Sequence, residues 1–328
     1  MLLTPIDLTD ITDFVYGNWT DEAGGTGCTA IVAPHGATGG VDVRGGAPAS
    51  RETDLLKPEN TVDQVHAVIL SGGSAYGLEA ASGAARELES RGIGLDVGPA
   101  VVPIVCSSCI FDLAFGDSKA RPDIESGIFA VKNALDDPSE PFLQGNYGAG
   151  CGATVGKLAG MERAMKGGLG TAAYSLGALQ VGAVVTVNAC GNVIDPQTGT
   201  PIAGIRMAAD SAEIIDMEGA MLAMAKDIAM PLARTNTTIS CIVTNANLSK
   251  AQATKISQMA ADAYAHTIRP THTTNDGDTI YTLASGAAEC PPDQLDLLGL
   301  MATRALEDAI TSACRHATTS HGVPGHID

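Results

Sequence analysis

Aromatic residues are scarce in this 328-residue chain, at 4%, and basic residues are outnumbered, 19 Lys and Arg against 37 Asp and Glu. The formal net charge of −18 repels phosphate backbones and anionic lipid, so neither nucleic acid nor a membrane is an expected partner. No stretch approaches the roughly 18 uncharged apolar residues that a spanning helix needs. The start, MLLTPIDLTDITDF, has no basic segment ahead of an apolar one and carries Asp7, Asp10 and Asp13. That is not a secretory signal, and the expectation is a cytosolic protein. The zinc-protease spacing H-E-x-x-H and the nucleophile elbow G-x-S-x-G are both absent, which removes two common routes to hydrolysis. No metal and no cofactor is expected.

What the chain does have is apolar bulk. Hydrophobic residues make up 45%, enough for a sizeable core. Glycine is abundant at 38 residues, which lets backbones approach closely at some entropic cost. Of the 8 cysteines, Cys28, Cys190 and Cys241 lie in apolar runs and read as small hydrophobes. Cys106 and Cys109 form a C-x-x-C with no second pair and no histidine at ligand spacing. They read as buried thiols rather than a redox pair or half a zinc site.

Runs rich in Val, Ile and Thr predict strands at Cys28–Ala33, Ala67–Leu70, Val181–Val187, Thr238–Thr244 and Thr279–Leu283. Helical patterns cover Ala75–Arg91, with Ser74 as cap and Gly92 as stop, then Ser249–His266 and Leu295–His316. Strands with helices outside them predict a layered α/β domain. Periodicity leaves open whether helices cover one face or both.

Several motifs fail in detail. In the glycine-rich stretch Gly145–Lys157, Cys151 stands where a phosphate loop needs its first glycine, and Leu158 follows Lys157 where Ser or Thr would hold magnesium. The pattern G-x-G-x-x-G breaks at Ala153. Ser71–Gly77 is a tight turn before a helix or the wall of a pocket. His272 precedes Asp276-Gly277-Asp278, and its default reading is structural. The paired aspartates form a polar turn, hold a cation, or orient a nucleophile. Asn236-Thr237-Thr238, leading into Ile239–Val243, is by itself a polar turn entering a strand.

Together and in order, these segments resemble the DmpA-type aminopeptidases, peptidase family S58, and within it the branch that hydrolyses 6-aminohexanoate (nylon) oligomers. The resemblance runs over roughly residues 20 to 310. It is carried by Val41-Asp-Val-Arg-Gly-Gly46, Ser71-Gly-Gly-Ser-Ala-Tyr-Gly-Leu-Glu79, Gly148-Ala-Gly150 through Gly156-Lys157, and Asn188. It continues through Asn236-Thr-Thr-Ile-Ser-Cys-Ile-Val-Thr-Asn245, Arg269-Pro270, His272-Thr273 and Asp276-Gly-Asp-Thr279.

The resemblance implies a four-layered αββα sandwich of the N-terminal-nucleophile type, one domain over residues 1–328. It implies a precursor that cuts itself between Asn236 and Thr237, leaving 236 and 328 − 236 = 92 residues. It assigns Thr237 as nucleophile, Asn188 as oxyanion donor and Lys157 as a positive charge near the site. Asp276 and Asp278 would orient Thr237 and tune its new amine. It further implies a homo-oligomer, a tetramer of cleaved protomers.

The chemistry is coherent. A threonine hydroxyl needs a base, and a newly exposed α-amine, with a pKa of about 7.7–8.0, suits that task near neutral pH. The expected substrates are oligoamides or peptides. Alternatives are an aminopeptidase or esterase of the DmpA type, an acyltransferase of the ornithine acetyltransferase type, and an uncleaved binding homologue. One position departs from the nylon-hydrolase pattern: Phe111 stands where those enzymes have a tyrosine. Phenylalanine cannot donate there, so Tyr76 and Tyr147 become the candidate hydroxyls of the substrate site.

Overall fold

The β-branched runs fill both faces of a buried sheet, which is why they read as continuous apolar stretches. A computed structural model describes residues 3–138, 141–224 and 236–326. Its main strands are β1 (Thr4–Ile6), β2 (Val15–Asp21), β3 (Thr26–Val43), β4 (Ser50–Arg51), β5 (Val65–Ser71), β6 (Val105–Cys109), β7 (Gly168–Leu176), β8 (Leu179–Asn188), β9 (Thr237–Ala246) and β10 (Thr279–Ala288). They pair in the order β1-β7-β8-β9-β10-β3-β5-β6-β4, with β2 also on β3. β3 pairs with β2 and β5 through its first half and with β10 through residues 38–43. It therefore passes from one layer to the other.

Helices α1 (Glu79–Ser90), α2 (Ile124–Asp136), α3 (Met217–Met224), α4 (Lys250–Ala260), α5 (Asp262–Thr267) and α6 (Leu295–Arg315) complete the main elements. Three apolar clusters define the layers. Cys28, Ala30, Ile69 and Val105 pack against Ala84 and Leu88 of α1 and Ala130 and Val131 of α2. Ile31, Val68 and Leu70 meet Val184, Ile239, Cys241 and Leu283 between the sheets. Val185, Ile242 and Ile280 pack on Ile256 of α4 and Leu306 and Ile310 of α6. Helix, sheet, sheet, helix is the four-layered αββα sandwich. Each such buried aliphatic side chain contributes about 1.5–3 kcal/mol, so the layers are fixed by many small terms. Glycine makes the close fit possible: a Cβ on Gly170 of β7 would lie 2.0 Å from the Ala309 carbonyl of α6.

All five predicted strands are present, most of them longer than their apolar runs. The helix predicted over Ala75–Arg91 begins instead as a 3-10 turn at Ser74–Leu78, and no side chain caps it. Ser74 has φ +55° and gives its N–H to Ile110 O at 2.9 Å, so it is turned away from the capping role. Ser249 does cap α4, accepting from Gln252 N, but the predicted Ser249–His266 helix breaks at Ala261 into α4 and α5. The helix α2, capped by Asp123 through Ser126 N at 3.0 Å, is an element that the sequence patterns above did not include. All 8 cysteines are buried and unbridged. Among the described residues no helix is long and apolar enough to cross a membrane.

Candidate active site

Thr237 opens β9, and its cross-strand partner is Asn188, the last residue of β8. On the other side β10 runs parallel to β9, with Ile239 opposite Thr279 and Asn236 bridged to Asp276. Alternation along a strand puts Thr237 on the face of Ile239 and Asn188 on the face of Val184. Both Ile239 and Val184 belong to the core between the sheets. The group therefore forms at one end of the sandwich. Asn236, Thr237, Asn188, Lys157, Asp276 and Asp278 are all buried.

The Thr237 hydroxyl donates to the carbonyl of Asn236 and accepts from Gly277 N at 3.2 Å. Asp278 holds the following residue rather than Thr237 itself: Oδ1 accepts from Thr238 N at 2.8 Å. Its Oδ2 accepts from the backbone N of His272 at 3.2 Å and pairs with His272 Nδ1 at 2.8 Å. Asp276 Oδ2 accepts from Thr273 N at 2.5 Å. Burial, and then the neighbouring Asp278, push the Asp276 carboxyl up to about 6. The glycine-rich turn after β3 explains the Val41–Gly46 motif. Arg44 N and Gly45 N donate to Asp278 O, and Ala47 N to Asp276 O. These bonds fix the aspartate loop by its backbone.

Asn188 is oriented without ambiguity. Its Oδ1 accepts from Thr154 N at 3.0 Å and from Lys157 Nζ at 2.8 Å, and its Nδ2 donates to Phe111 O at 3.0 Å. Lys157 Nζ also reaches Asn188 O at 2.9 Å. Burial lowers the Lys157 amine to about 7, opposed by Cys190, Asp276 and Asp112. An amine in that range exchanges its proton near neutral pH. Gly156, at φ +73° and packed on the Gly204 and Ile205 backbone, turns Lys157 inward.

The structure thus brings together Thr237, Asn188, Lys157, Asp276, Asp278 and Asn236. Phe111 joins them through its carbonyl, and the ring is half-buried. Tyr76 and Tyr147 make no hydrogen bond to this group among the described residues. Tyr76 is exposed and lies under the Arg121 guanidinium, 3.9 Å from its ring centroid. Tyr147 is exposed and lines a separate cavity with Glu22, Asn146, Cys151 and His316. Ser71–Gly77 is tied to the end of β6 by Asp112, whose Oδ1 accepts from Gly73 N at 2.7 Å.

Sequence reading passed over Gly277 N, Phe111 O and Thr154 N, because backbone groups carry no side-chain signature; only the glycine between the two aspartates hinted at the first. Among the described residues no group of three His, Cys, Asp or Glu is placed to hold a metal. A hydroxyl against a carbonyl, with an N–H on the hydroxyl, a fixed amide and two groups titrating near 6 and 7, suits acyl transfer from an amide.

Known proteins give this geometry a context. The family model described as peptidase family S58 matches residues 7–328. An uncharacterised aminopeptidase of Mycobacterium leprae is 43% identical over 268 residues, which are 80% of this chain and 72% of that one. A 6-aminohexanoate-oligomer endohydrolase of Paenarthrobacter ureafaciens is 31% identical over 302 residues, 89% of this chain and 81% of that one. The L-aminopeptidase D-Ala-esterase/amidase of Ochrobactrum anthropi, described as a variant of the Ntn hydrolase fold, superposes with a TM-score of 0.68 at 16% identity. That match covers 98% of this chain and 91% of that one, and the likeness is one of fold. By the family match across nearly its whole length and by these relatives, the chain belongs to peptidase family S58.

Proposed function

We propose that the protein is a self-processing amidohydrolase that cleaves amide bonds of oligoamides or peptides through an acyl ester on Thr237. The observation that carries this reading is the Thr237 hydroxyl lodged against the carbonyl of its own preceding residue, with Gly277 N–H on the oxygen. Attack by Oγ1 on the Asn236 carbonyl carbon forms an ester and frees the Thr237 amine. Water then hydrolyses the ester, leaving the Asn236 carboxylate and a regenerated hydroxyl. Before cleavage Thr237 has no free amine, so another group must take the hydroxyl proton. Lys157, lowered to about 7, fits that role, directly or through a water. After cleavage the α-amine, with a pKa of about 7.7–8.0, takes over.

In turnover the substrate amide replaces the Asn236–Thr237 peptide. The side-chain amide of Asn188, the cross-strand partner of Thr237, is the donor assigned to the oxyanion. Phe111 offers its carbonyl as the anchor of that amide and no hydroxyl of its own. A second reading, release of amino-terminal residues, is favoured by the greater identity to the relative named an aminopeptidase. Assay of cleaved protein on 6-aminohexanoate oligomers, amino-acid amides and amino-blocked peptides separates the two. Products from inside blocked oligomers support the first, and products only from free amino ends support the second. Turnover of all three by Thr237→Ala at the wild-type rate would refute both.

A further inference from the structure

His272 lies beside the site, takes no part in the chemistry above, and is held firmly by its surroundings. Its backbone lies at φ +54°, a left-handed conformation that a non-glycine side chain keeps only where its neighbours enforce it. In that conformation both its backbone N, at 3.2 Å, and its ring Nδ1, at 2.8 Å, reach Oδ2 of Asp278. The ring stacks on Tyr264, with centroids 5.5 Å apart and planes 22° from parallel. The Tyr264 hydroxyl lies 3.2 Å from Thr238 O and 3.0 Å from Ser240 Oγ, while the other oxygen of Asp278 takes Thr238 N at 2.8 Å. Thr238, the residue after the nucleophile, is thus held at its N–H by Asp278 and touched at its C=O by Tyr264, two side chains that His272 joins.

A carboxylate oxygen only accepts, so Nδ1 is the donor of this pair. Nε2 is buried and has no hydrogen-bond partner among the described residues. The ring is therefore arranged around its Nδ1 contact, with the opposite nitrogen left unsatisfied. Thr271 Oγ1, 3.4 Å from the same Asp278 oxygen, is too distant to fix the carboxylate instead. Resting on the reading that Thr237 is the nucleophile, we propose that His272 is a positioning residue, which sets Asp278 against the Thr238 amide and so aligns the Thr237 hydroxyl. It touches neither substrate nor the reacting oxygen.

Two polar substitutions of similar size separate the ring's two nitrogens. Asparagine presents an N–H where Nδ1 stands and accepts a left-handed backbone, whereas glutamine carries its amide to the place of Nε2. Self-cleavage is followed by intact mass, and kcat and KM for an amino-acid amide are measured on the cleaved fraction. His272→Asn is expected within about 3-fold of wild type, and His272→Gln to lose about 10- to 100-fold in kcat with KM nearly unchanged, as misalignment does. His272→Gln at wild-type kcat overturns the proposal, and so does His272→Asn as slow as His272→Gln. A lower thermal midpoint with unchanged kcat per cleaved molecule also overturns it. Fragments from Thr237→Ala would instead overturn the underlying reading of Thr237.

Discussion

Lys157 and Lys166 both lie in the interior, 6% and 0% exposed, and burial lowers both amines, to about 7 and about 8. Their contacts differ. Lys157 Nζ reaches the carbonyl and side-chain oxygens of Asn188, the cross-strand partner of Thr237. Lys166 Nζ reaches Cys151 O at 2.6 Å and lies 4.2 Å from the Phe115 ring centroid. A displaced amine therefore marks burial, and the atoms it touches decide whether burial serves chemistry. In the proposed account Lys157 serves the hydroxyl, while Lys166 packs the interior.

The sharpest way to break this contrast is to remove each amine. Lys157→Met is expected to slow self-cleavage by about 10²- to 10⁴-fold, the usual loss of a positioned base, with Lys166→Met processing at close to the wild-type rate. Equal losses would erase the distinction. Gly277→Ala comes next. A Cβ there would lie 2.8 Å from Thr237 Oγ1 and 3.1 Å from Ala47 O. Displacing the hydroxyl by a fraction of an ångström is expected to lower kcat by about 10- to 100-fold. An unchanged kcat would detach Gly277 from the nucleophile.

Acidity gives smaller effects. Lys157 acts as base only when uncharged, so self-cleavage in wild type should accelerate as pH rises through about 7. A profile flat from pH 6 to 8 would remove Lys157 from that role. For Lys166, the folded amine, at about 8, holds fewer protons than the unfolded one between there and about 10.5. Stability therefore increases as pH rises across that window, by at most about 1.4 kcal/mol per pH unit. Urea titrations at pH 7 and 9.5 should show the gain shrinking in Lys166→Met, and an identical gain would place the slope elsewhere.

Much of this is legible in the sequence. The runs Val181–Val187 and Thr238–Thr244 announced strands because β-branched residues buried on both faces leave no polar alternation to hide them. Periodicity could not order the layers, since a strand covered by a helix and one covered by a sheet have the same pattern; there the family resemblance supplied the answer. Of the site, the side chains of Thr237, Asn188, Lys157, Asp276 and Asp278 are what the family resemblance implies, since each motif alone reads as a polar turn, and the structure gathers them. Ser74 fails as a helix cap because its backbone lies at φ +55°, outside the extended region that a capping residue adopts. Tyr76 and Tyr147, the expected hydroxyls of the substrate site, are exposed, and what Phe111 contributes is its carbonyl. Gly277 N and Thr154 N are donors that every residue but proline possesses, so only folding singles them out.

The central claim concerns one peptide bond, between Asn236 and Thr237, and intact mass with N-terminal sequencing of the denatured protein reads it directly. The account predicts pieces of 236 and 92 residues, 328 in all, the smaller beginning Thr-Thr-Ile, and an unbroken chain for Thr237→Ala. An undivided wild-type chain that still hydrolyses amides would contradict it.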